Sequence, residues 1–359
     1  MKGDKINAGN YSIFFEDKAF DYLNKFLSNN SFSSIVVLTD SNVKKHCLPL
    51  FLKALSSFKL KNIIIIKAGE INKNLKTCEM IWKKLNEFNC DRNSLLINIG
   101  GGVVTDIGGF CASVYKRGFS FINIPTTSLS MADASVGGKT GIDFDRYKNL
   151  IGTFCEPDGV FIYSGFCKTQ SKREFTNGLA EIVKAGFIAD KHLAKSVLAY
   201  SKSKKEKEFE SIMQQSVVIK NTIVEIDPKE KHMRKALNFG HTIGHALESF
   251  YLEKKGKQLL HGEAIAIGMI CESFIAFRLN MLEEKDLLFV EDILFALFKK
   301  VKIDSKDFHA IQKLMLHDKK NKAGKIKLAL IEKPGKPALD IECPKNLIED
   351  SLKYYNSLS

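Results

Sequence analysis

The segment LNFGHTIGHALESF (237–250) places His241 and His245 one helical turn apart, each directly after a glycine. Residues at i and i+4 share one face of a helix, so the two imidazoles are either hydrogen-bonded core residues or metal ligands. His261 in LHGEAIAIGM and a carboxylate upstream would complete a zinc-type set of nitrogen and oxygen donors with an open position. The pattern is not HExxH, so the general base of a metalloprotease is missing. Gly240 and Gly244 each cost a helix about 1 kcal/mol relative to alanine. They are expected to leave room beside the imidazoles for a metal, a substrate or a neighbouring domain. In REFTNGLAEIVKAGF (173–187), Glu181 and Lys184 lie one turn apart, the spacing of a surface ion pair.

Two further groups of residues suit a nucleotide and an anion. The run SLLINIG leads into Gly100, Gly101 and Gly102, where backbone N–H groups could approach a phosphate at a helix start. As a GxGxxG fingerprint the match is imperfect, because Thr105 stands where the third glycine belongs. Asp40, ending SIVVLTD, is the candidate for holding ribose hydroxyls. The stretch 125–152 is too rich in glycine and small residues for a regular element and too long for a simple connector. Its Asp133, Lys139, Lys148 and Asn149 offer a carboxylate, two cations and an amide to a polyhydroxylated anion.

The elements that must position these groups change character along the chain. Strand-like runs at 34–40, 62–69, 94–100 and 119–126 alternate with helical stretches at 42–57, 74–89 and 103–117, the signature of βα units around a mostly parallel sheet. After about residue 165 the periodicity is helical, and only KIKLALIE (325–332) reads as extended. The expected architecture is an α/β domain over 1–165 and an α-helical domain over 166–359, with a site in the cleft between them.

With 359 residues and 45% apolar content, the chain is long enough for two real cores. Eight cysteines without a CxxC pair argue against a disulfide framework or a zinc knuckle. The N-terminal residues lack a signal-peptide core and no stretch is long enough to span a membrane, so a cytoplasmic protein is expected. The net charge of +13 fits a phosphorylated small molecule or a polyanion. Much of the excess sits in lysine-rich segments such as SKSKKEKEFE (201–210) without interleaved aromatics, which argues against nucleic acid as the partner.

Together, TDSNV (39–43), GEINK (69–73), GGGVVTDIGGF (100–110), YKRG (115–118), PTT (125–127), DASVGGKTGID (133–143), KNLIGTF (148–154), GLAEIVK (178–184), LNFGHTIGHALE (237–248), LHGEA (260–264) and DKK (318–320) resemble the 3-dehydroquinate synthases. These are sugar phosphate cyclases within the dehydroquinate synthase and iron-type alcohol dehydrogenase fold, and the resemblance covers residues 35–335. It implies a Rossmann-like N-terminal domain that binds NAD. Asp40, Asn42, Glu70 and Lys73 would lie near the adenosine ribose, and Gly101, Gly102, Thr105 and Asp106 along the pyrophosphate and nicotinamide side. Thr126 and Thr127 would meet the nicotinamide and Thr169 and Glu174 the far wall, with Lys139 and Lys148 also in reach of the cofactor.

The resemblance implies a zinc or cobalt ion on Glu181, His241 and His261, leaving His245 to meet substrate. Asp133, Lys139, Lys148, Asn149, Lys184, Lys220, Arg234, Asn238, His245, Lys319 and Lys320 would surround the substrate's carboxylate, hydroxyls and phosphate. Lys184, His245, Lys139 and Asn238 form the implied catalytic set. The implied reaction is that of a lyase of the shikimate pathway to aromatic amino acids, converting 3-deoxy-D-arabino-heptulosonate 7-phosphate to 3-dehydroquinate and phosphate, in a homodimer. Thr105, Asp143 and His232 depart from the residues common in the family and bear on substrate geometry. The rival readings are another sugar phosphate cyclase, such as a valiolone or deoxyinosose synthase, and a metal-dependent polyol dehydrogenase that releases NADH.

Overall fold

In the computed structural model, the described residues are 3–55, 60–145, 147–252, 254, 256–316 and 326–358. Lys319 and Lys320 lie outside them. The chain divides into two compact units, Met1–Phe175 and Thr176–Ser359.

The first unit contains β1 (Lys5–Ala8), β2 (Tyr11–Phe15), α1 (Glu16–Asn29), β3 (Ile35–Asp40), α2 (Ser41–His46), α3 (Leu48–Ala54), β4 (Asn62–Ile66), α4 (Leu75–Glu87), β5 (Leu95–Gly100), α5 (Gly102–Val114), β6 (Ser120–Pro125), β7 (Lys139–Phe144), β8 (Tyr147–Phe154) and β9 (Gly159–Ile162). Seven strands form one sheet in the order β1-β2-β9-β6-β5-β3-β4. Only β1 and β2 pair antiparallel; the rest of the sheet is parallel. Strand β5 is buried at every position, as a strand covered by helices on both faces must be. Helix α4 is amphipathic: Cys78, Ile81 and Leu85 face the core and Asn74 caps its first turn through Thr77 N–H. Helix α5 buries an unbroken run from Ile107 to Ala112 and so packs on all sides.

Three features differ from the sequence expectation. The helix expected over 42–57 is two helices, with Pro49 opening the second. The N-terminal hairpin β1–β2 and strand β9 join the sheet, although their runs of four or five residues carry little periodic signal. Most notably, the expected loop 125–152 contains a π-helical turn (Ser130–Ala134) and the first part of the antiparallel hairpin β7–β8. Glycine content concealed the strands: Gly141 faces Gly152, and a Cβ on Gly152 would lie 2.1 Å from the Thr140 carbonyl oxygen. The glycines permit this close pairing, and Thr140 and Thr153 exchange a hydroxyl hydrogen bond of 2.7 Å beside it.

Helix α6 (Lys172–Ala189) contains the junction between the units. The second unit continues with α7 (Lys191–Ser203), α8 (Glu206–Ile226), α9 (His241–Leu252), α10 (His261–Arg278), α11 (Glu284–Leu297), α12 (Phe308–Leu316), β10 (Ile326–Lys333), β11 (Lys336–Cys343) and α13 (Lys345–Ser357). The KIKLALIE run is β10, and it pairs with β11, whose Pro337 and acidic residues masked it in the sequence. Helix α10 is buried from Gly262, except at Glu263, to Ala276 and is the centre of this unit. Among the described residues, no helix is long and apolar enough to cross a membrane.

Candidate functional site

Three helices of the second unit bring Glu181, His241 and His261 together. Glu181 lies mid-way along α6, while His241 and His261 are the first residues of α9 and α10. Glu181 Oε1 is 3.6 Å from His241 Nε2 and 3.5 Å from His261 Nε2. Four donors about 2.1 Å from a tetrahedral ion are separated by about 3.4 Å, so these atoms stand near the edges of such a cage. The ring orientations suit that role. His241 Nδ1 lies 3.1 Å from the Phe239 carbonyl oxygen, which can only accept, so the ring donates from Nδ1 and turns Nε2 toward Glu181. His261 Nδ1 meets Glu248 Oε2 at 3.2 Å in the same arrangement. Burial alone would lower the His261 pKa, but the Glu248 and Glu181 carboxylates outweigh it and push the ring up to about 9. The pocket therefore attracts positive charge, and the residues present fit a divalent cation.

Lys184 pairs with Glu181 Oε2, leaving Oε1 to face the imidazoles. The pair is buried, with 3% and 2% side-chain exposure, and the surface ion pair expected from its spacing is corrected accordingly. His245 sits beside the set, its ring centroid 4.9 Å from that of His241 and 5.8 Å from that of His261. His245, Glu248 and His261 also bring ligand atoms within 4.8 Å of one another.

The glycines beside the histidines have a different purpose from the one expected. A Cβ on Gly244 would meet Ile265 Cδ1 at 2.7 Å, and one on Gly268 would lie 2.0 Å from the Gly240 carbonyl oxygen. The room they leave is filled by α10, which packs against α9 at backbone distance. That approach brings His261 to His241.

Elsewhere in this unit, Lys220 is buried on α8 and Arg234 is buried in a 3-10 turn, with Nη1 donating to the Pro228 carbonyl at 2.6 Å. Asp227 shapes that turn by accepting backbone N–H bonds from Lys231 (3.0 Å), His232 (2.6 Å) and Arg234 (3.2 Å). Asn238 Nδ2 donates to Glu230 Oε1 at 2.5 Å.

In the first unit the expected residues gather at the carboxyl ends of the parallel strands, where open α/β sheets bind ligands. Thr126 N–H donates to the Gly100 carbonyl at 2.9 Å, joining the tips of β5 and β6. No side chain caps the first turn of α5, which begins at Gly102 and carries Thr105 and Asp106. Such a helix start suits a phosphate, so this region fits a dinucleotide. Lys73 Nζ bonds Asp106 Oδ2 and Asn149 Oδ1, both at 2.5 Å, and Lys148 lies 3.3 Å from Glu70. Asn149, with φ +50°, is held by its N–H to Asp143 Oδ1 at 2.8 Å. Residues assigned from the sequence to cofactor and to substrate thus form one polar network.

Asp40 is already engaged, accepting from Asn42 and Val43 N–H at 2.8 and 2.9 Å as the cap of α2. Thr169 lies 3.4 Å from Cys47, which follows that helix, and Glu174 closes a reciprocal cap with Ser171 at the start of α6. Thr127 bonds Ser130, and Asp133 lies on the π-helical turn. Lys139 opens β7 opposite Phe154 and is exposed.

Family comparison covers both units. A model described as 3-dehydroquinate synthase N-terminal matches residues 63–177, and one described as 3-dehydroquinate synthase C-terminal matches 178–321. The chain belongs to the 3-dehydroquinate synthase family. The 3-dehydroquinate synthase of Parabacteroides distasonis is 38% identical over 334 residues, spanning 93% of this chain and 94% of that one. Two solved structures share the fold. A 2-deoxy-scyllo-inosose synthase with carbaglucose-6-phosphate, NAD+ and Co2+ aligns at TM-score 0.84 and 22% identity, covering 98% of this chain and 99% of that one. A Streptomyces hygroscopicus 2-epi-5-epi-valiolone synthase with NAD+ and Zn2+ aligns at TM-score 0.85 and 24% identity, covering 99% of each.

Two carboxylates beside the histidines of this 3-dehydroquinate synthase family member, Glu248 and Glu272, were not among the residues expected from its sequence. Glu248 follows His241 and His245 at the i+7 position of the same helical face, a signal present in the sequence. Glu272 is a lone acid in the apolar run GMICESFIAF and is 0% exposed. It accepts from Gly240 N–H at 2.6 Å and Ile243 N–H at 3.3 Å, at the start of α9.

Proposed function

We propose that the chain catalyses the family's reaction, converting 3-deoxy-D-arabino-heptulosonate 7-phosphate to 3-dehydroquinate and inorganic phosphate, as an NAD- and divalent-metal-dependent cytoplasmic homodimer. The first unit holds NAD over the tips of β5 and β6, with Gly101, Gly102, Thr105 and Asp106 at the start of α5. Glu181, His241 and His261 hold zinc or cobalt. When bound, NAD would accept and later return a hydride, and the cation would polarise the oxygen of the hydroxyl whose carbon is oxidised.

The remaining steps fall to the chain's own side chains. Lys139, Lys148, Lys220 and Arg234 grip the substrate's carboxylate and phosphate, and Asp133, Asn149 and Asn238 its hydroxyls. Oxidation of one hydroxyl makes the adjacent C–H acidic; that proton is lost as phosphate leaves. The departing phosphate can take the proton itself, so few protein bases are needed. Re-reduction of the ketone, ring opening and an internal aldol closure give the carbocycle. His245, beside the metal ligands, and Lys184, oriented by Glu181, steer protons during these steps.

The observation that carries this reading is the arrangement of the two imidazoles, each with Nδ1 engaged and Nε2 turned to the same oxygen of Glu181. The test is to incubate the zinc-loaded chain with NAD and the heptulosonate phosphate while following phosphate, dehydroquinate and absorbance at the NADH band. Phosphate and dehydroquinate should form in equal amounts without accumulating NADH. Stoichiometric NADH would identify a polyol dehydrogenase. Phosphate release only from a different sugar phosphate would identify another cyclase.

A further inference from the structure

Helices α9 and α10 run antiparallel, and each sends a buried carboxylate to the histidine-bearing end of the other. From α9, Glu248 Oε2 reaches His261 Nδ1 at 3.2 Å. From α10, Glu272 reaches the backbone N–H groups of Gly240 and Ile243, which flank His241. Both acids are buried, at 5% and 0% exposure. Between these contacts the helices touch through Gly240, Gly244 and Gly268, where a Cβ would collide with backbone or with Ile265 and Met269. Glycine contacts bring the helices close but carry no side chain that could fix how far one slides or turns against the other. The two carboxylates supply that register, one at each end of the contact.

We infer that Glu248 and Glu272 are positioning residues for the metal centre, each holding the other helix's histidine with Nε2 facing Glu181. Glu248 does so by accepting the His261 Nδ1 proton, which fixes the tautomer and the ring plane. Glu272 does so by satisfying N–H groups that an α-helix leaves open in its first turn, placing a negative charge where the helix dipole favours one. Neither acid needs to touch metal or substrate. The inference rests on the metal reading above, and its test separates the two.

Zinc affinity of the full-length chain is measured by competition with a chromophoric chelator, and the visible d–d spectrum of the cobalt-loaded chain reports the ligand geometry. Glu248→Leu keeps the side-chain bulk but cannot accept the Nδ1 proton, and zinc affinity should fall about 10- to 100-fold. Glu248→Gln keeps an acceptor and should recover most of it, which a purely space-filling role would not require. Glu272→Leu should weaken zinc to a similar extent and alter the cobalt spectrum, with Glu272→Gln intermediate. Should either leucine variant fail to fold, long-range 15N–1H spectra of the zinc-loaded wild-type chain decide the matter for Glu248: the His261 proton must be on Nδ1. The folded glutamine variant decides it for Glu272. Unchanged affinity and spectrum in the folded variants, or a His261 proton on Nε2, would overturn the inference while leaving the metal reading intact. Failure of the wild-type chain to bind zinc or cobalt would overturn the metal reading and this inference with it.

Discussion

At the scale of single residues, the site is governed by charges placed where water cannot screen them. Lys184 and Glu181 are nearly fully buried, and removing one partner of such a pair leaves the other uncompensated, at a cost of about 3–5 kcal/mol. Lys184→Met, which keeps the length of the side chain, should lower the melting temperature of the metal-free protein. Zinc should then raise it by more than in the wild type, because the cation takes over neutralisation of Glu181. Calorimetry with and without zinc checks this; an equal zinc-induced rise in both proteins would mean that Lys184 does not share the carboxylate with the ion. Asp227 offers a pH-dependent case. Burial alone would raise its pKa, but hydrogen bonds from the His232, Lys231 and Arg234 N–H groups and the nearby His232 ring outweigh this, and the net shift is downward. A carboxyl depressed in the folded state contributes stability that is complete above its unfolded value of about 3.9 and disappears as pH falls through the folded value. Asp227→Asn should therefore melt below the wild type at pH 7, and the gap should close as the pH is taken below about 4. The motifs brought the histidines, Glu181 and Lys184 to one site, but the i, i+3 spacing of Glu181 and Lys184 taken alone reads as a surface pair rather than the buried one observed. Local i, i+3 spacing fixes which residues are neighbours and is silent on what the rest of the chain lays over them.

At the scale of elements, legibility followed the strength of the local period. Strands β3, β5 and β6 are long apolar runs bounded by turns and are read within a residue or two of their observed ends. Hairpin β7–β8 was missed because its stabilising features are non-local: a glycine opposite a glycine and threonines bonded across the pair. For the same reason Gly240 and Gly244 are expected from the sequence to leave room for a metal, a substrate or a neighbouring domain, when their actual neighbour is helix α10 of the same unit. This gives a direct expectation for Gly268. An added methyl would lie 2.0 Å from the Gly240 carbonyl oxygen and 2.8 Å from Gly244 N, both backbone atoms that cannot rotate away. Gly268→Ala gains helix propensity of about 1 kcal/mol, but the overpacking costs about 1–3 kcal/mol. It should therefore be destabilised overall in chemical denaturation, with α10 pushed off α9 and zinc affinity reduced. A more stable Gly268→Ala protein with unchanged zinc binding would show that the two helices are less tightly apposed than these distances require.

At the scale of the whole molecule, the sequence disclosed the change from alternating βα units to helices near residue 165, whereas the first compact unit runs on to Phe175. The added stretch belongs there by packing: Phe166 stacks edge-on to Phe20 and Tyr163, and Cys167 reaches Met131. Such contacts have no periodic signature. Net charge is the other whole-molecule property, and its effect depends on where the cations are. Of the cations proposed to hold the substrate, Lys184, Lys220 and Arg234 are buried and Lys148 is partly covered, so under the proposed function their hold on an anion should depend little on salt. Lys202, Lys204, Lys205 and Lys207 are exposed around the α7–α8 turn and contribute to the +13 only as a long-range field. The screening length shrinks from about 30 Å at 0.01 M salt to about 10 Å at 0.1 M. Steering of the anionic substrate should therefore raise kcat/KM at low salt, by up to about tenfold, and this advantage should vanish by about 0.1 M with kcat unchanged. Replacing the four lysines with glutamate should flatten the low-salt limb and leave the high-salt plateau where it was. A plateau that falls with the substitutions would place those lysines in contact with the substrate, and a wild-type profile without a low-salt limb would mean that the surplus charge has no part in capture.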